Sequence, residues 1–422
     1  MNTKLLQSAE DIHTRFPHLS IPEAVAIRNF NKSFRFGISE EMLDYLKKDE
    51  HGVPLRSDPL AQLFWPFPDL LTAKAPSAYD PLWDNWEMPE DFPMRNPVRP
   101  NYAWQWKYPD RICHRSFGCE QKCLHCFETI RVLDKHGDKK PNPDDWQDGV
   151  SFIREHPEIN EVIFTGGEPL VAPDSVLDRQ FADIRSIPHV RAIRVHTAKA
   201  IHDTNRLSDD FTHLCAKHRV TEIAFHVLHP RQVTARFIAA MERLARGCGS
   251  VIRLAHIPIL RGVNDDTEVL KELCTQLVEC GVKPYYFLHS MPSTLGAKSW
   301  RLPVSRMVDV VRPIINRGFS HMRSAEAIIV GRGGKKTIPM EHNTFLMDRS
   351  YGMEKVWAID GTMPDLDSFG WTKGSDWFGH GFSKNQFFGA PDFIYTEFRN
   401  QPVIVFKNWK NEWEMYPDVS NE

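Results

Sequence analysis

A regular rhythm in the middle of the chain limits the fold most. From residue 107 to about 330, short β-branched or aromatic runs alternate with longer stretches of helical periodicity. Strands are expected at 111–117 (RICHRSF), 161–167 (EVIFTGG), 191–197 (RAIRVHT), 222–229 (EIAFHVLH), 251–260 (VIRLAHIPIL), 283–289 (KPYYFLH) and 326–331 (EAIIVG). Helices are expected between them, at 143–155, 174–186, 208–218, 231–246, 266–280 and 303–316. In the stretch 231–246, apolar Phe237, Ile238, Met241 and Leu244 recur at helical spacing. Strands separated by helices of this length build βαβ units and a parallel sheet. The six to seven strands predict an α/β chain with a partial or full (β/α) barrel. Its chemistry would sit in the loops that follow the strands. A doubly wound open sheet shares the same periodicity.

The flanks differ. Residues 1–105 read as an N-terminal helical and irregular extension, with helices at 21–33 and 39–49. Ser39 with Glu40 and Glu41 starts the second, because a side-chain cap and early acids favour a helix N-terminus. From 53 to 100 the chain is dense in proline and tryptophan, and proline breaks both helix and strand. That segment reads as a wrapping element whose aromatics pack on a neighbouring domain, or as a partner- or substrate-contacting surface. The barrel core is expected over 106–330 and a C-terminal extension over 331–422. Within the latter, 340–392 is rich in Gly, Asp, Trp and Phe, and reads as a lid over a pocket or as an added packing element.

Composition narrows the function classes. Of 422 residues, 52 are Lys or Arg and 55 are Asp or Glu, a net charge of -3. That lacks the basic excess of a nucleic-acid binder. No apolar run approaches the ~20 residues that cross a bilayer. The start, MNTKLLQSAEDIHTRF, carries Glu10 and Asp11 and does not read as a signal peptide. Eight cysteines are too few for a disulfide scaffold. The expected compartment is a reducing cytoplasm, where clustered cysteines bind metal rather than pair.

Such a cluster follows the first strand. Cys119, Cys123 and Cys126 are spaced C-x3-C-x2-C. Three thiolates within eight residues converge on one metal centre. Iron–sulfur cubanes usually take four Cys, so three leave one iron open, as a catalytic metal requires. Structural zinc with Cys113 or His125 as fourth ligand is the alternative, although the spacing lacks the paired CxxC layout of zinc sites. The second strand ends Thr165-Gly166-Gly167-Glu168-Pro169. Glycines allow close backbone approach to a ligand, and a carboxylate suits an ammonium.

The two motifs in this order resemble the radical S-adenosylmethionine (SAM) superfamily. The resemblance implies a partial TIM-like (β/α) barrel of radical SAM type. It implies a [4Fe-4S] cluster on Cys119, Cys123 and Cys126, whose open iron chelates SAM. An electron from the cluster then cleaves SAM to a 5′-deoxyadenosyl radical. Gly166, Gly167 and Glu168 match the motif that contacts the SAM amino group.

Further segments resemble lysine 2,3-aminomutase and its relatives. These are Tyr108-Pro109-Asp110-Arg111, His226-Val-Leu-His229-Pro230, Leu260-Arg261-Gly262-Val263-Asn264-Asp265, Pro284-Tyr285-Tyr286 and Gly331-Arg332-Gly333-Gly334-Lys335-Lys336-Thr337. The likeness runs from about 107 to 339 and resumes weakly at 393–412. It implies that Lys336, with Lys335 the alternative, binds pyridoxal 5′-phosphate (PLP) as an imine, as lysine amines do with carbonyl cofactors. Arg111 would contact the PLP phosphate, and Lys107 stands where the family has another arginine. Tyr108, His226 and His229 fall at cofactor-contacting positions. The implied reaction moves an amino group from C2 to C3 of an amino acid. A changed radical rearrangement or elimination, with PLP lost or reused, is the alternative. Implied partners are a small amino-acid-like substrate, a reducing donor such as flavodoxin or ferredoxin, and further copies of the chain in a homo-oligomer.

Several positions depart from the family. The acids that grip a lysine side chain should follow the Tyr-Tyr strand and precede the glycine run. Phe287-Leu288-His289-Ser290-Met291-Pro292 and Ile328-Ile329-Val330 stand there instead, with Glu326 the nearby acid. Glu128 replaces the arginine that holds the substrate carboxylate, and Asp266 replaces a zinc-site cysteine. A buried charge without its partner is costly, so a substrate other than lysine is expected. Arg131 and Arg332 are candidate carboxylate contacts. Cys215, Cys248, Cys274 and Cys280 read as small apolar core residues.

Overall fold

The computed structural model describes residues 5–6, 9–22, 24–25, 37–65, 67, 103–108, 110–121, 123–126, 144–290, 300, 302, 304–318, 320–331, 334–337, 393–398, 401–407 and 413–416. The Pro/Trp-rich stretch past 67, most of the expected helix 21–33, Glu128, Arg131, Arg332 and the segment 340–392 lie outside these residues, as do the side chains of Lys107, Tyr108 and Lys336.

The first elements are β1 (Leu5–Leu6), α1 (Ala9–Arg15), β2 (Ile38–Ser39), α2 (Glu40–Tyr45) and α3 (Pro59–Phe64). The next strands are β3 (Trp104–Tyr108) and β4 (Arg111–Ser116). Strands and helices then alternate: α4 (Asp145–Glu155), β5 (Glu161–Gly166), α5 (Asp174–Arg185), β6 (Ala192–Thr197), α6 (Lys199–His202), α7 (Asp209–Lys217), β7 (Glu222–His226), α8 (Ala235–Gly247), β8 (Ile252–Ile259), α9 (Thr267–Glu279), β9 (Lys283–His289), α10 (Val304–Arg317) and β10 (Glu326–Gly331). A last pairing strand, β11 (Gly334–Thr337), folds back on β10. Strands β12 (Phe393–Phe398), β13 (Gln401–Lys407) and β14 (Trp413–Tyr416) form an antiparallel sheet of their own.

The main sheet has nine strands in the order β11-β10-β9-β8-β7-β6-β5-β4-β3. Strands β4 to β10 run parallel, and an antiparallel strand flanks them at each edge. Seven steps of ~4.8 Å would put β4 and β11 about 34 Å apart in a flat sheet. Yet Lys335 on β11 interacts electrostatically with Arg111 and Cys113 on β4. The sheet is therefore curled into a partial (β/α) barrel. Its two outer strands, β3 and β11, extend it beyond 106–330 on both sides.

Local chemistry explains most boundaries. Ser39 caps α2 by accepting the Met42 N–H at 3.1 Å, but the helix ends at Tyr45 because Leu46 is already extended. Asp266 accepts the N–H groups of Glu268 and Val269 and starts α9. In α8 the buried stripe is Phe237, Ala240, Met241 and Leu244. Ile238 lies beside that stripe and is 39% exposed, so it is not the core residue its spacing predicted. Cys215, Cys248 and Cys274 are buried, and burial pushes the Cys274 thiol up to about 12; Cys280 is half-buried. No helix among the described residues is long and apolar enough to cross a membrane.

Two apolar cores result. The larger lies between the sheet and its helices. The smaller joins the N-terminal extension, including Phe16, Met42, Leu63 and Trp65, to Leu124, Leu228, Leu260, Val263 and Trp300. Leu124, Leu228 and Leu260 follow the carboxyl ends of β4, β7 and β8. The extension thus caps the face of the barrel where chemistry is expected. Two buried carboxylates pin it there. Asp58 pairs with Arg231, and Glu41 accepts both the backbone N–H (2.8 Å) and the hydroxyl of Thr204.

Candidate active site

The cysteine loop leaves β4 beside the end of β5. Gly166 has φ +97°, and a Cβ there would lie 2.7 Å from the Ser116 backbone. A Cβ on Gly167 would lie 2.3 Å from the Gly118 carbonyl oxygen. The glycines are needed because main chain packs on main chain. Gly167 donates to Ser116 at 2.6 Å and Glu168 donates to Gly118 at 2.7 Å. These bonds fix the start of the loop that carries half-buried Cys119, Cys123 and Cys126. From above, the Leu124 N–H donates to the Leu63 carbonyl at 2.9 Å.

Glu168 is 2% exposed. Its carboxyl accepts from Thr197 Oγ1 (2.7 Å), the Ala198 N–H (2.8 Å) and the Leu170 N–H (3.1 Å). Burial raises its pKa although these donors oppose the rise. A carboxylate so engaged keeps about one of its ~four acceptor positions for a ligand. The next residue, Lys199, has a side chain 2% exposed and contacts Glu120 of the cysteine loop and Asp203. Burial opposes its charge, but the two carboxylates hold its pKa above the ordinary value. Residues 197–199 therefore brace both motifs at once.

Deeper in the lumen the strands contribute Arg194 and His196 from β6, Glu222 and His226 from β7, His256 from β8, Tyr285 and Tyr286 from β9, and Lys335 from β11. Arg194 lies 2.9 Å from Glu161 and 2.7 Å from Glu222. Lys335 Nζ sits 4.4 Å above the Tyr286 ring. Burial, with Arg194 nearby, lowers the Lys335 pKa to about 7. Its amine is thus largely neutral just above neutral pH, the form that attacks carbonyls. Burial also lowers the imidazoles, His226 to about 4 and His125 to about 3, so they are neutral at pH 7.

The comparisons with known proteins agree with this layout. Over 194 residues the chain is 36% identical to the L-lysine 2,3-aminomutase of Haemophilus influenzae, a match spanning 45% of this chain and 55% of that protein. Over 259 residues it is 30% identical to a provisionally named L-lysine 2,3-aminomutase of Aquifex aeolicus, spanning 54% of this chain and 67% of that protein. The chain belongs to the lysine 2,3-aminomutase family. The glutamate 2,3-aminomutase of Clostridioides difficile also matches, at 28% over 256 residues, spanning 60% of this chain and 58% of that protein. The chain thus spans little more than half the length of some of these relatives. No protein-family model matches it.

Within this family frame the expected site residues separate. The cysteine loop and the Gly166-Gly167-Glu168 turn are adjacent at the barrel mouth. His226 lies in the lumen, whereas His229 caps the turn 230–232 by accepting the Arg231 N–H at 3.2 Å. Arg111, at the start of β4, pairs with Asp110 at 2.8 Å and lies 3.9 Å from Glu161. Of the two candidate lysines, Lys335 has its described side chain in the lumen. Arg194, His196 and His256 were not singled out in the sequence. Their signal was faint: polar residues at alternate, inward positions near strand ends.

Proposed function

We propose that this chain is a radical SAM aminomutase that moves an amino group from C2 to C3 of an amino acid. One juxtaposition carries this reading. A three-cysteine loop, the Gly-Gly-Glu turn braced against it and a lysine with a pKa of about 7 face one barrel interior. Membership of the lysine 2,3-aminomutase family supports it.

The residues fit the groups that such a reaction needs. Cys119, Cys123 and Cys126 would hold the [4Fe-4S] cluster, since three thiolates on one short loop leave one iron open. Gly166, Gly167 and the remaining acceptor position of Glu168 would contact SAM. Lys335, rather than Lys336, would hold PLP, and Arg111 would take its phosphate. When bound, the cluster and SAM supply a carbon radical, and PLP supplies a π-system that spreads it. The chain itself supplies placement. Asp58 and Glu41 clamp the N-terminal cap over the barrel mouth and exclude water. Arg194 engages both Glu161 and Glu222, and its own charge adds to burial in holding Lys335 in the amine form. His226 presents a neutral imidazole to the lumen.

A substrate other than lysine is part of the proposal. His289 and Ser290, both buried, stand where acids would grip a side-chain ammonium. A relative named for glutamate supports substrate variation on this scaffold. The test is anaerobic incubation of the reconstituted protein with dithionite, SAM and a panel of amino acids. The expected result is 5′-deoxyadenosine together with a 3-amino acid detected by NMR. Deoxyadenosine without amino migration on any member of the panel overturns the aminomutase reading.

A further inference from the structure

We infer that the Tyr45 hydroxyl donates a hydrogen bond to the Cys123 sulfur and so makes the cluster on the cysteine loop easier to reduce. The inference rests on the reading of Cys119, Cys123 and Cys126 as cluster ligands. It adds a positioning residue that comes from the N-terminal cap.

Tyr45 is the last residue of α2 and is 6% exposed. Its hydroxyl oxygen is buried and has no hydrogen-bond partner among the described residues. A buried phenol normally finds one. Packing brings it to the cysteine loop. Tyr45 belongs to the smaller apolar core, and Cys123 packs against that core. Phe64 bridges the two, with its ring 6.4 Å from that of Tyr45 and 6.0 Å from that of His125. The Cys123 thiol is close enough to act electrostatically on the phenol.

The neighbours give the hydroxyl its direction. The polar groups that act on it belong to Gln232, Cys123, Glu41 and Arg231. The Gln232 carboxamide oxygen already accepts the N–H groups of Leu228 (2.7 Å) and His229 (3.2 Å). Its NH2 is left to face Tyr45, and an NH2 donates to a phenol oxygen but cannot accept the phenol proton. Glu41 has both oxygens on Thr204, and Arg231 is a donor held by Asp58. The remaining acceptor is the Cys123 sulfur. Burial, the largest influence, also pushes the phenol pKa upward, so the proton stays on oxygen.

The consequence is electrostatic. Negative charge builds on an iron-bound thiolate on reduction, and an O–H aimed at the sulfur stabilises that state. The external donor supplies the electron, and the phenol keeps its proton. Because Tyr45 belongs to the cap, reduction is easiest when the cap is shut over the barrel mouth.

The test is a redox titration of the reconstituted holoenzyme, read by EPR without SAM or substrate, on wild type, Tyr45→Phe and Met42→Leu. Tyr45→Leu is a second variant without the hydroxyl. Met42 is a buried neighbour in the same core with no donor, so its variant reports packing alone. Iron and sulfide content is measured for each. Tyr45→Phe is expected to make reduction about tenfold less favourable, a midpoint about 59 mV more negative. Met42→Leu is expected to change that constant by less than about twofold. An unchanged midpoint in the Tyr45 variants overturns the inference, as does an equal fall in Met42→Leu. A shift that appears only after SAM is added also overturns it, because the phenol would then serve SAM. Loss of the cluster from both Tyr45 variants overturns it too, since the side chain would then be structural. If wild type holds no four-iron cluster, the cluster reading and the inference fall together. If amino migration proceeds and the midpoint does not move, the inference alone fails. If the midpoint falls in the Tyr45 variants and wild type rearranges no amino acid, the inference stands and the aminomutase reading fails.

Discussion

Asp58→Ala should loosen the N-terminal cap without unfolding the barrel. Asp58 is 0% exposed. Its carboxylate caps α3 through the Leu60 N–H (3.2 Å), accepts the Lys47 N–H (2.7 Å) and pairs with Arg231. Loss of a side-chain cap costs ~1 kcal/mol. The Lys47 N–H belongs to an exposed residue and can turn to water, so its lost bond costs an ordinary ~1 kcal/mol. The Arg231 side chain is 27% exposed and can rehydrate, so its lost pair adds only ~1 kcal/mol. Cap opening should become easier by about 3 kcal/mol, or about 150-fold in the opening constant. Hydrogen exchange read by mass spectrometry measures this directly. Amides of Leu60–Phe64 should lose protection by about that factor, and so should Leu124, whose N–H is held by Leu63. Protection in β5 to β8 should hardly change. A loss under about fivefold in the cap, or an equal loss across the barrel, would refute the account of the cap as a separately clamped lid.

Three further outcomes follow from named contacts. Gly167→Ala puts a Cβ 2.3 Å from the Gly118 oxygen, so iron incorporation should fall sharply while a far-surface change such as Lys271→Ala leaves it intact; iron and sulfide analysis checks this. Lys199→Met leaves Glu120 and Asp203 without their shared cation, so the cysteine loop should exchange its amides faster even before metal is added; unchanged exchange over 117–126 counts against the brace. The pH dependence has a definite sign. His114, His125, His202, His226 and His229 have folded pKa values of about 3 to 4, held down chiefly by burial, so the unfolded chain takes up protons first as pH falls. Stability should be full above about 6.5 and decline steeply as pH drops toward 4, seen in denaturant midpoints; a flat profile there contradicts neutral burial.

The barrel was legible because most of its strands are short β-branched or aromatic runs cut off by turn residues, and the helices between them carry apolar stripes. β3 was not, since WQWKY follows a proline-dense stretch and gains its pairing only from β4. β11 was not, since Gly-Lys-Lys-Thr reads as a turn until β10 supplies a partner. The metal-binding spacing could be read because its three ligands are neighbours in the chain. The lumen could not. His226 was named from its motif, but Arg194, His196 and His256 are single residues on two other strands, and only curling of the sheet brings the four together. Glu168 shows the same limit in another form. Its place in the motif was visible, but Thr197 and Ala198, which hold its carboxyl, lie about thirty residues away.

Borohydride reduction of the PLP-loaded protein at pH 7.5, followed by peptide mapping, tests the central claim most directly. With a pKa of about 7, most of the Lys335 amine is neutral at that pH, against about 0.1% for an ordinary lysine. The account predicts a pyridoxyl group on Lys335. No adduct within 334–337 in protein that still cleaves SAM, or one that forms only near pH 10, contradicts it.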